Sequence, residues 1–261
     1  MIRAHREGIL TACSVVACGP DFETAARTLR GIRGLDIGAH LTFVGERPLS
    51  PRSEVRSLLG DDGAFLPSYR AFVQRYFRGR IDRADVARET RRQLARIADA
   101  GLEIRHVNSH QHLHVLPDIF DVVVRIAAEL GIPYIRLPHD AQPRATRFAR
   151  WLAVRALGRF SERARARLTG SPLRANDRTI GVMDAGRITA PLLLTLLDRV
   201  EGVTELVAHP GEGDAEIARR YRWGYHWDAE RDALCDTRVR AKIRAAGIKL
   251  VGIREVVVAN P

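Results

Sequence analysis

The sequence predicts an α/β fold, a TIM-like β/α barrel of about seven strands whose first strand we expect to be missing. Short apolar or β-branched runs alternate with longer helical patterns, which is typical of parallel βα units. Counting these runs gives about seven strands, a number that favours a barrel over a small open sheet. Residues 3–7 have the pattern of a helix end that Gly8 terminates, so the sequence opens in the middle of a βα unit.

The first half of the chain contains a regular succession of predicted strands and helices. Asp21 is a suitable N-cap, and Gly101 and Gly131 are natural C-terminal stops. A loop-rich stretch is predicted at 44–67 and a polar turn at 109–114. The predicted strands are 11–17, 36–42 and 104–108, and the predicted helices are 22–30, 69–76, 83–100 and 118–130.

The second half is less regular, because an arginine-rich insertion at about 138–172 interrupts it. We find no internal repeat and no Gly/Ser linker, which predicts a single domain over 1–261. The predicted strands are 134–137, 179–183, 205–208 and 249–251, the predicted helices are 192–200 and 237–246, and a last short element is 255–258.

Composition places the chain among ordinary globular proteins, with 46% hydrophobic and 28% charged residues among 261. No apolar stretch approaches the roughly 20 residues of a membrane-spanning helix. The N-terminus has no signal-peptide organisation, so we expect a cytoplasmic location. Cys13, Cys18 and Cys235 lack a CxxC spacing, which predicts reduced packing residues.

The net charge of +11 comes almost entirely from arginine, and much of it lies in 144–167. Apolar residues recur there at helical spacing, which predicts an amphipathic basic helix. Its charged face either is simply solvated or contacts a membrane surface or an acidic partner. No nucleic-acid-binding motif accompanies the arginines, so we expect no nucleic acid as a partner. Sheet edges left by a missing strand would favour association, for example as a homodimer.

Five histidines follow predicted strands or lie at their ends. In β/α barrels, reactive groups lie at the carboxyl ends of the strands, so these side chains would converge and could bind a divalent metal. The alternative is a set of hydrogen-bonded loop or core histidines. If the 110–114 segment is extended, its three histidines point one way. Since one ion rarely binds all three, we expect one as a metal ligand, and we expect the others, His112 and His114, to contact substrate or to hydrogen bond to the metal ligands. The five are His40, His110, His112, His114 and His209.

His209 precedes Pro210 and Gly211, which hold its backbone extended and let the chain turn sharply behind it. A rigidly aimed imidazole suits a general acid, because proton transfer to a poor leaving group needs a group that titrates near neutrality. A buried histidine that is hydrogen bonded at a strand end is the structural alternative.

Five segments together resemble motifs of the YdjC-like carbohydrate deacetylases, which include chitooligosaccharide deacetylases and hopanoid-associated members. The resemblance implies a β/α barrel in which an aspartate and two histidines hold a divalent ion, magnesium or else zinc. It implies His40 and His110 as metal ligands, His209 as the catalytic acid and Arg136 in the substrate cleft. The segments are HREGILT at 5–11, GAHLT at 38–42, HVNSHQHLH at 106–114, IRLP at 135–138 and ELVAHPG at 205–211.

One departure from the family pattern concerns its first strand, which ends in Asn-Ala-Asp-Asp-Phe-Gly and supplies a metal ligand and the general base. This sequence has no such motif, and neither Asp36 nor Asp61 occupies its place. We therefore expect a hydrolase that removes N-acetyl groups from an amino sugar, oligosaccharide or glycolipid, with weak metal binding and impaired turnover. The alternatives are a phosphoesterase on the same fold, and a non-catalytic basic module that binds anionic lipid or nucleic acid.

Overall fold

A computed structural model of the protein describes residues 1–140 and 148–259. These residues separate into two compact units. Unit 2 consists of Ser14–Arg136 and Glu162–Ala175, and unit 1 contains the remaining residues.

Unit 2 contains a sheet with the strand order β1-β2-β3, in which β1 is Ala12–Val15, β2 is Asp36–Leu41 and β3 is Ile104–Ser109, and in which β2 and β3 run parallel. Residues 134–137, predicted as a strand, extend this sheet only through isolated bridges, Val107 with Ile135 and Tyr134 with Arg174. The backbone N–H of Arg136 also donates to the Val107 carbonyl at 3.1 Å. The carboxyl ends of β2, β3 and residues 134–136 therefore lie at one edge of the sheet.

The helices of unit 2 begin and end close to their predicted bounds. Buried apolar residues on the two long helices, including Val86, Leu94, Phe120 and Ile126, pack in the core of this unit. The helices are α2 (Phe22–Leu29), α3 (Tyr69–Phe77), α4 (Arg83–Asp99) and α5 (Pro117–Glu129), and short 3-10 turns lie at Arg52–Glu54, Arg56–Leu58 and His110–Val115.

Unit 1 contains a second parallel pair, β4 (Arg178–Ile180) and β5 (Thr204–Leu206). Its helices are α1 (Ile2–Arg6), α7 (Ala190–Leu197), α8 (Asp214–Arg220), α9 (Trp227–Cys235), α10 (Thr237–Ala245) and α11 (Ile253–Ala259). Helices α1, α7, α9 and α10 share one apolar core, whose buried residues are Ala4, Ile9, Ile188, Leu193, Leu197, Ala233, Leu234, Val239 and Ile243.

Several predictions of the second half differ from the structure. The strand predicted at 249–251 is wrong: the segment is irregular, and Leu250 is 47% exposed, so a strand there would bury little apolar surface. The short element at 255–258 is the helix α11, and helices α8 and α9 were not predicted. Within 1–140 and 148–259, five strands form sheets of three and two strands and do not close a barrel.

The arginine-rich segment forms a helix where it is described. The part at 141–147 lies outside the described residues, and α6 covers Phe148–Arg167. Its last residue, Arg167, pairs with Asp121 and donates to the Pro117 carbonyl at 3.2 Å, both in unit 2. Among the helices described, none is long and apolar enough to cross a membrane.

Candidate active site

Two imidazoles lie together at the carboxyl edge of the sheet in unit 2. His40 is the fifth residue of β2 and pairs in register with Asn108 of β3, and His110 follows β3 directly. Their ring centroids are 5.7 Å apart, with the rings inclined at 68°. The structure thus brings together the two residues that the sequence resemblance assigned as metal ligands.

A hydrogen-bond network across three strands orients the His40 ring. Its Nδ1 donates to the Asn108 side-chain oxygen at 2.6 Å, since that oxygen can only accept. The Asn108 amide donates to the Ser14 hydroxyl at 2.7 Å, and this hydroxyl lies 3.0 Å from Nε2 of His106. With the proton on Nδ1, Nε2 of His40 carries the lone pair, which is the tautomer that a metal ligand requires.

The close approach of His106 depends on a glycine in the neighbouring strand. A Cβ at position 38 would lie 2.3 Å from the His106 ring, so Gly38 is the residue that leaves space for it. His106 is almost fully buried, and Asn108 is completely buried. The GAHLT and HVNSH motifs therefore fit together through Gly38 and His106 as well as through His40 and His110.

His110 is neutral at physiological pH, because burial lowers its pKa to about 4. Neutral imidazole is the form that binds a divalent metal. His40 and His110 therefore fit two positions of a metal site by donor chemistry. Within the residues that the structure describes, no group of three or more His, Cys, Asp or Glu side chains could hold a metal ion. The third ligand that the family pattern supplies is thus unassigned.

The turn after His110 does not have the extended conformation that would point alternate histidines in one direction. Gln111 and His112 have φ values of 53° and 57°, in the left-handed region, and His110–Val115 forms a 3-10 turn. That expectation was wrong because two successive left-handed residues break the alternation. The Gln111 side-chain oxygen accepts from the backbone N–H of Tyr69 at 3.0 Å, which stabilises the turn.

His114 is completely buried, and its ring fixes the main chain of Arg136 through a hydrogen bond. Its Nε2 donates to the Arg136 carbonyl at 2.7 Å, and its Nδ1 lies 2.8 Å from the Ser109 hydroxyl. Both ring nitrogens therefore have a structural function, while substrate contact by His114 and His112 stays a prediction. Arg136 lies at the same sheet edge as His110, because residues 134–136 run parallel to β3.

A buried polar face of α4 fixes the chain that leaves β2. The Gln93 side chain exchanges two hydrogen bonds with the backbone of Thr42, at 2.9 and 2.7 Å. The carboxylate of Glu89 accepts from the backbone N–H groups of Leu49 and Ser50 at 3.1 and 3.0 Å. These polar positions were not predicted from the sequence, although they lie one helical turn apart and could have indicated a buried network.

His209 lies in unit 1, after β5, and a buried carboxylate holds it. Glu230 of α9 accepts a hydrogen bond from the backbone N–H of His209 and another from Ile188 at 3.3 Å. The same carboxylate lies 3.9 Å from Nδ1 of His209. Burial raises the pKa of Glu230, and backbone N–H groups oppose that effect. At 3.9 Å the carboxylate is too far from Nδ1 for a hydrogen bond, but a negative charge this close favours the protonated, positively charged form of the ring.

An aromatic row next to His209 was not predicted from the sequence. Two of the three tryptophans and two of the five tyrosines occupy alternate positions between 221 and 227. We call Tyr221, Trp223, Tyr225 and Trp227 the aromatic strip. The ring centroid of Tyr225 is 5.2 Å from that of His209. The alternation of aromatic residues in a chain with only 6% of them is the signal that could have revealed the strip.

Comparisons with known proteins agree on one family. A family model described as YdjC-like protein matches residues 1–245. A carbohydrate deacetylase from Oceanobacillus iheyensis is 31% identical over 135 residues, which span 51% of this chain and only 55% of that protein. One from Geobacillus stearothermophilus is 26% identical over 257 residues, or 98% of this chain and 90% of that protein.

A solved structure supports the fold. The crystal structure of a cellobiose-phosphate cleavage protein from Enterococcus faecalis V583 matches with a TM-score of 0.76 and 23% identity. The match covers 98% of this chain and 91% of the solved one. At this identity the likeness bears on the fold and not on the reaction.

Proposed function

The chain belongs to the YdjC-like family, and from this premise we propose that it is a hydrolase that removes N-acetyl groups from an amino sugar or its oligosaccharide. The observation that carries the proposal is the pair His40 and His110, 5.7 Å apart at the carboxyl edge of one parallel sheet. Relatives of this chain are named carbohydrate deacetylase, and that name is the basis for the substrate class.

We propose that His40 and His110 hold a divalent ion, magnesium or zinc, through Nε2 of His40 and a ring nitrogen of His110. When bound, such an ion polarises a carbonyl and makes water a better nucleophile. Asn108 keeps the His40 ring in the tautomer that can coordinate it. Because the described chain supplies two imidazoles without an assigned carboxylate, we expect its affinity for the ion to be weak.

The remaining residues bind substrate and move protons. Arg136, with its main chain fixed by His114, is placed to contact polar groups of the sugar, and His112 lies on the same turn as His110. His209 is the general acid in its imidazolium form: as a water oxygen bonds to the acetyl carbon and the amide C–N bond breaks, Nε2 gives its proton to the departing amine, acetate leaves, and the proton that the water loses passes to solvent. Glu230 positions the main chain of His209 through its backbone N–H, and the negative charge of the carboxylate lies 3.9 Å from Nδ1.

The proposal also includes the complete fold of the chain and its contact with a membrane surface. We propose a TIM-like barrel and a single deacetylase domain as the complete architecture, and the parallel pairs β2–β3 and β4–β5 support it. A glycolipid substrate, as in hopanoid-associated members, would give the basic helix α6 a function in peripheral membrane contact. Homodimer formation and a cytoplasmic location stay predictions.

The test asks whether the protein hydrolyses N-acetylated sugars or phosphate esters. Acetate release from N-acetylglucosamine and its oligomers is measured beside phosphate release from phosphate monoesters, with magnesium or zinc added. The assay uses the 261-residue chain and a fusion in which a strand ending in Asn-Ala-Asp-Asp-Phe-Gly precedes it. We expect acetate release, faster in the fusion. Phosphate release without acetate release would identify a phosphoesterase and refute the proposal.

A further inference from the structure

The aromatic strip forms a continuous row of rings that begins at the candidate acid. From His209 the ring centroids are separated by 5.2 Å to Tyr225, then 5.6 Å to Trp223 and 4.6 Å to Tyr221. These separations are those of interacting aromatic pairs. Each ring from His209 to Tyr221 therefore contacts the next one in the row.

The aromatic strip has a buried end at Trp227 and an exposed residue at Trp223. Trp227 is 5% exposed and lies 5.9 Å from Tyr225, whereas Trp223 is 45% exposed. Packing explains a buried tryptophan such as Trp227. A half-exposed Trp223 between two tyrosines leaves a large apolar surface in water, and such surfaces commonly mark ligand-binding sites.

Backbone contacts hold the strip against the loops that follow β4 and β5. The N–H of His226 donates to the Gly186 carbonyl at 2.9 Å, and the Trp227 carbonyl accepts from Gly211 at 3.1 Å. The Tyr225 ring lies so close to Gly186 that an added Cβ would be 2.2 Å from it. The strip is thus fixed to the same turn that carries His209, and a ligand would meet an ordered surface.

We propose that the aromatic strip is a saccharide-binding platform, on which sugar units next to the unit being deacetylated stack against Trp223 and its tyrosine neighbours. This inference rests on the proposed function and deepens it, since it assigns an oligosaccharide rather than a single amino sugar as the preferred substrate. A pyranose ring has one face of C–H groups that packs on an aromatic face, and tyrosine hydroxyls offer hydrogen bonds to sugar hydroxyls.

The experiment measures binding of defined sugars to the 261-residue chain by calorimetry. The probes are N-acetylglucosamine and its β-1,4-linked tetramer, and the variants are Trp223→Ala, Trp223→Phe and Phe77→Ala. Phe77 is a matched control, because it is an aromatic residue of α3 in unit 2 that is 65% exposed. Far-UV circular dichroism and thermal melting of each variant check that the fold is retained.

We expect the tetramer to bind more tightly than the monomer, and Trp223→Ala to weaken tetramer binding about tenfold while monomer binding changes less than about twofold. Trp223→Phe should keep most of the tetramer affinity, and Phe77→Ala should keep all of it. A Trp223→Ala variant that binds the tetramer as the unchanged chain does would overturn the platform, as would an unchanged chain that does not prefer the tetramer.

Measuring acetate release beside tetramer binding shows which of the two hypotheses fails, the saccharide-binding platform or the deacetylase function. If the enzyme releases acetate and Trp223→Ala leaves tetramer binding unchanged, the deacetylase stands and the platform is refuted. If tetramer binding depends on Trp223 but no acetylated sugar is hydrolysed, the platform stands and the deacetylase is refuted.

Discussion

Nδ1 of His209 lies 3.9 Å from the carboxylate of Glu230, and that carboxylate also accepts the backbone N–H of His209. One buried acidic residue thus holds the main chain of the candidate acid and places a carboxylate near its ring. Since Glu230 is 0% exposed, its bonds to backbone N–H groups offset the cost of burying its charge.

Replacing Glu230 by glutamine tests this arrangement. Because an amide offers one acceptor oxygen in place of two, at least one backbone N–H would lose its partner, and we expect the free energy of unfolding to fall by about 1–3 kcal/mol. Acetate turnover should fall as well, with a changed pH profile. Glu212→Gln, at a side chain that is 82% exposed, is the control. Equal unfolding free energies for the two variants would contradict the role of Glu230.

Asn108 should control metal affinity without touching the ion. Asn108→Ala removes the acceptor that holds His40 in its coordinating tautomer, so we expect affinity for zinc or magnesium to fall about 10- to 100-fold. Asn108→Asp keeps an acceptor oxygen at this position and should bind the ion at least as well. Calorimetric titration of both folded variants provides the comparison, and equal affinities would show that this hydrogen bond has no part in metal binding.

Gly186 should tolerate alanine less well than a glycine of similar backbone conformation. Gly186 and Gly170 have φ values of +80° and +81°, but an added Cβ at Gly170 meets no atom within 4 Å among the described residues. Gly170→Ala should cost about 1–2 kcal/mol for the left-handed conformation alone. Gly186→Ala should cost more, because the Tyr225 ring must move. Denaturant titration gives both values, and equal costs would mean that this contact is unimportant.

The three cysteines should react slowly with alkylating agents. Burial raises the pKa of the Cys13 and Cys18 thiols to about 12, and burial also raises the pKa of Cys235. The reactive thiolate is therefore scarce at pH 8. Mass spectrometry should find little labelling by iodoacetamide in the native protein and three labels after denaturation. Rapid labelling of the native protein would contradict this account.

The sequence was sufficient to predict the elements around the histidine pair. Strands β2 and β3 and helices α4 and α5 have strong periodicity and clear caps or stops, so their bounds agree with prediction within about two residues. The pairing of His40 with His110 follows from parallel strands whose carboxyl ends meet at one edge. Local pattern therefore predicted the part of the site that regular structure places.

Features that depend on tertiary contacts could not be predicted from local sequence patterns. The left-handed Gln111 and His112 have no glycine or asparagine signature, and the function of Glu230 depends on backbone N–H groups from two distant turns. Val251 is a strand-forming residue, but Lys249 and Leu250 beside it are exposed and the segment joins neither of the sheets described, so burial and not propensity decided its conformation.

The central claim is that His40 and His110 bind the ion and that His209 donates the proton during deacetylation. It is tested most directly by acetate release from the N-acetylglucosamine tetramer, measured on the more active of the 261-residue chain and its fusion. His5→Ala is the control, at a histidine whose Nδ1 bonds to the Leu10 carbonyl at 2.8 Å. We predict that His40→Ala, His110→Ala and His209→Ala each lower turnover about 100-fold or more, while His5→Ala stays near the unchanged protein. Undiminished acetate release by any of the three site variants would contradict the claim.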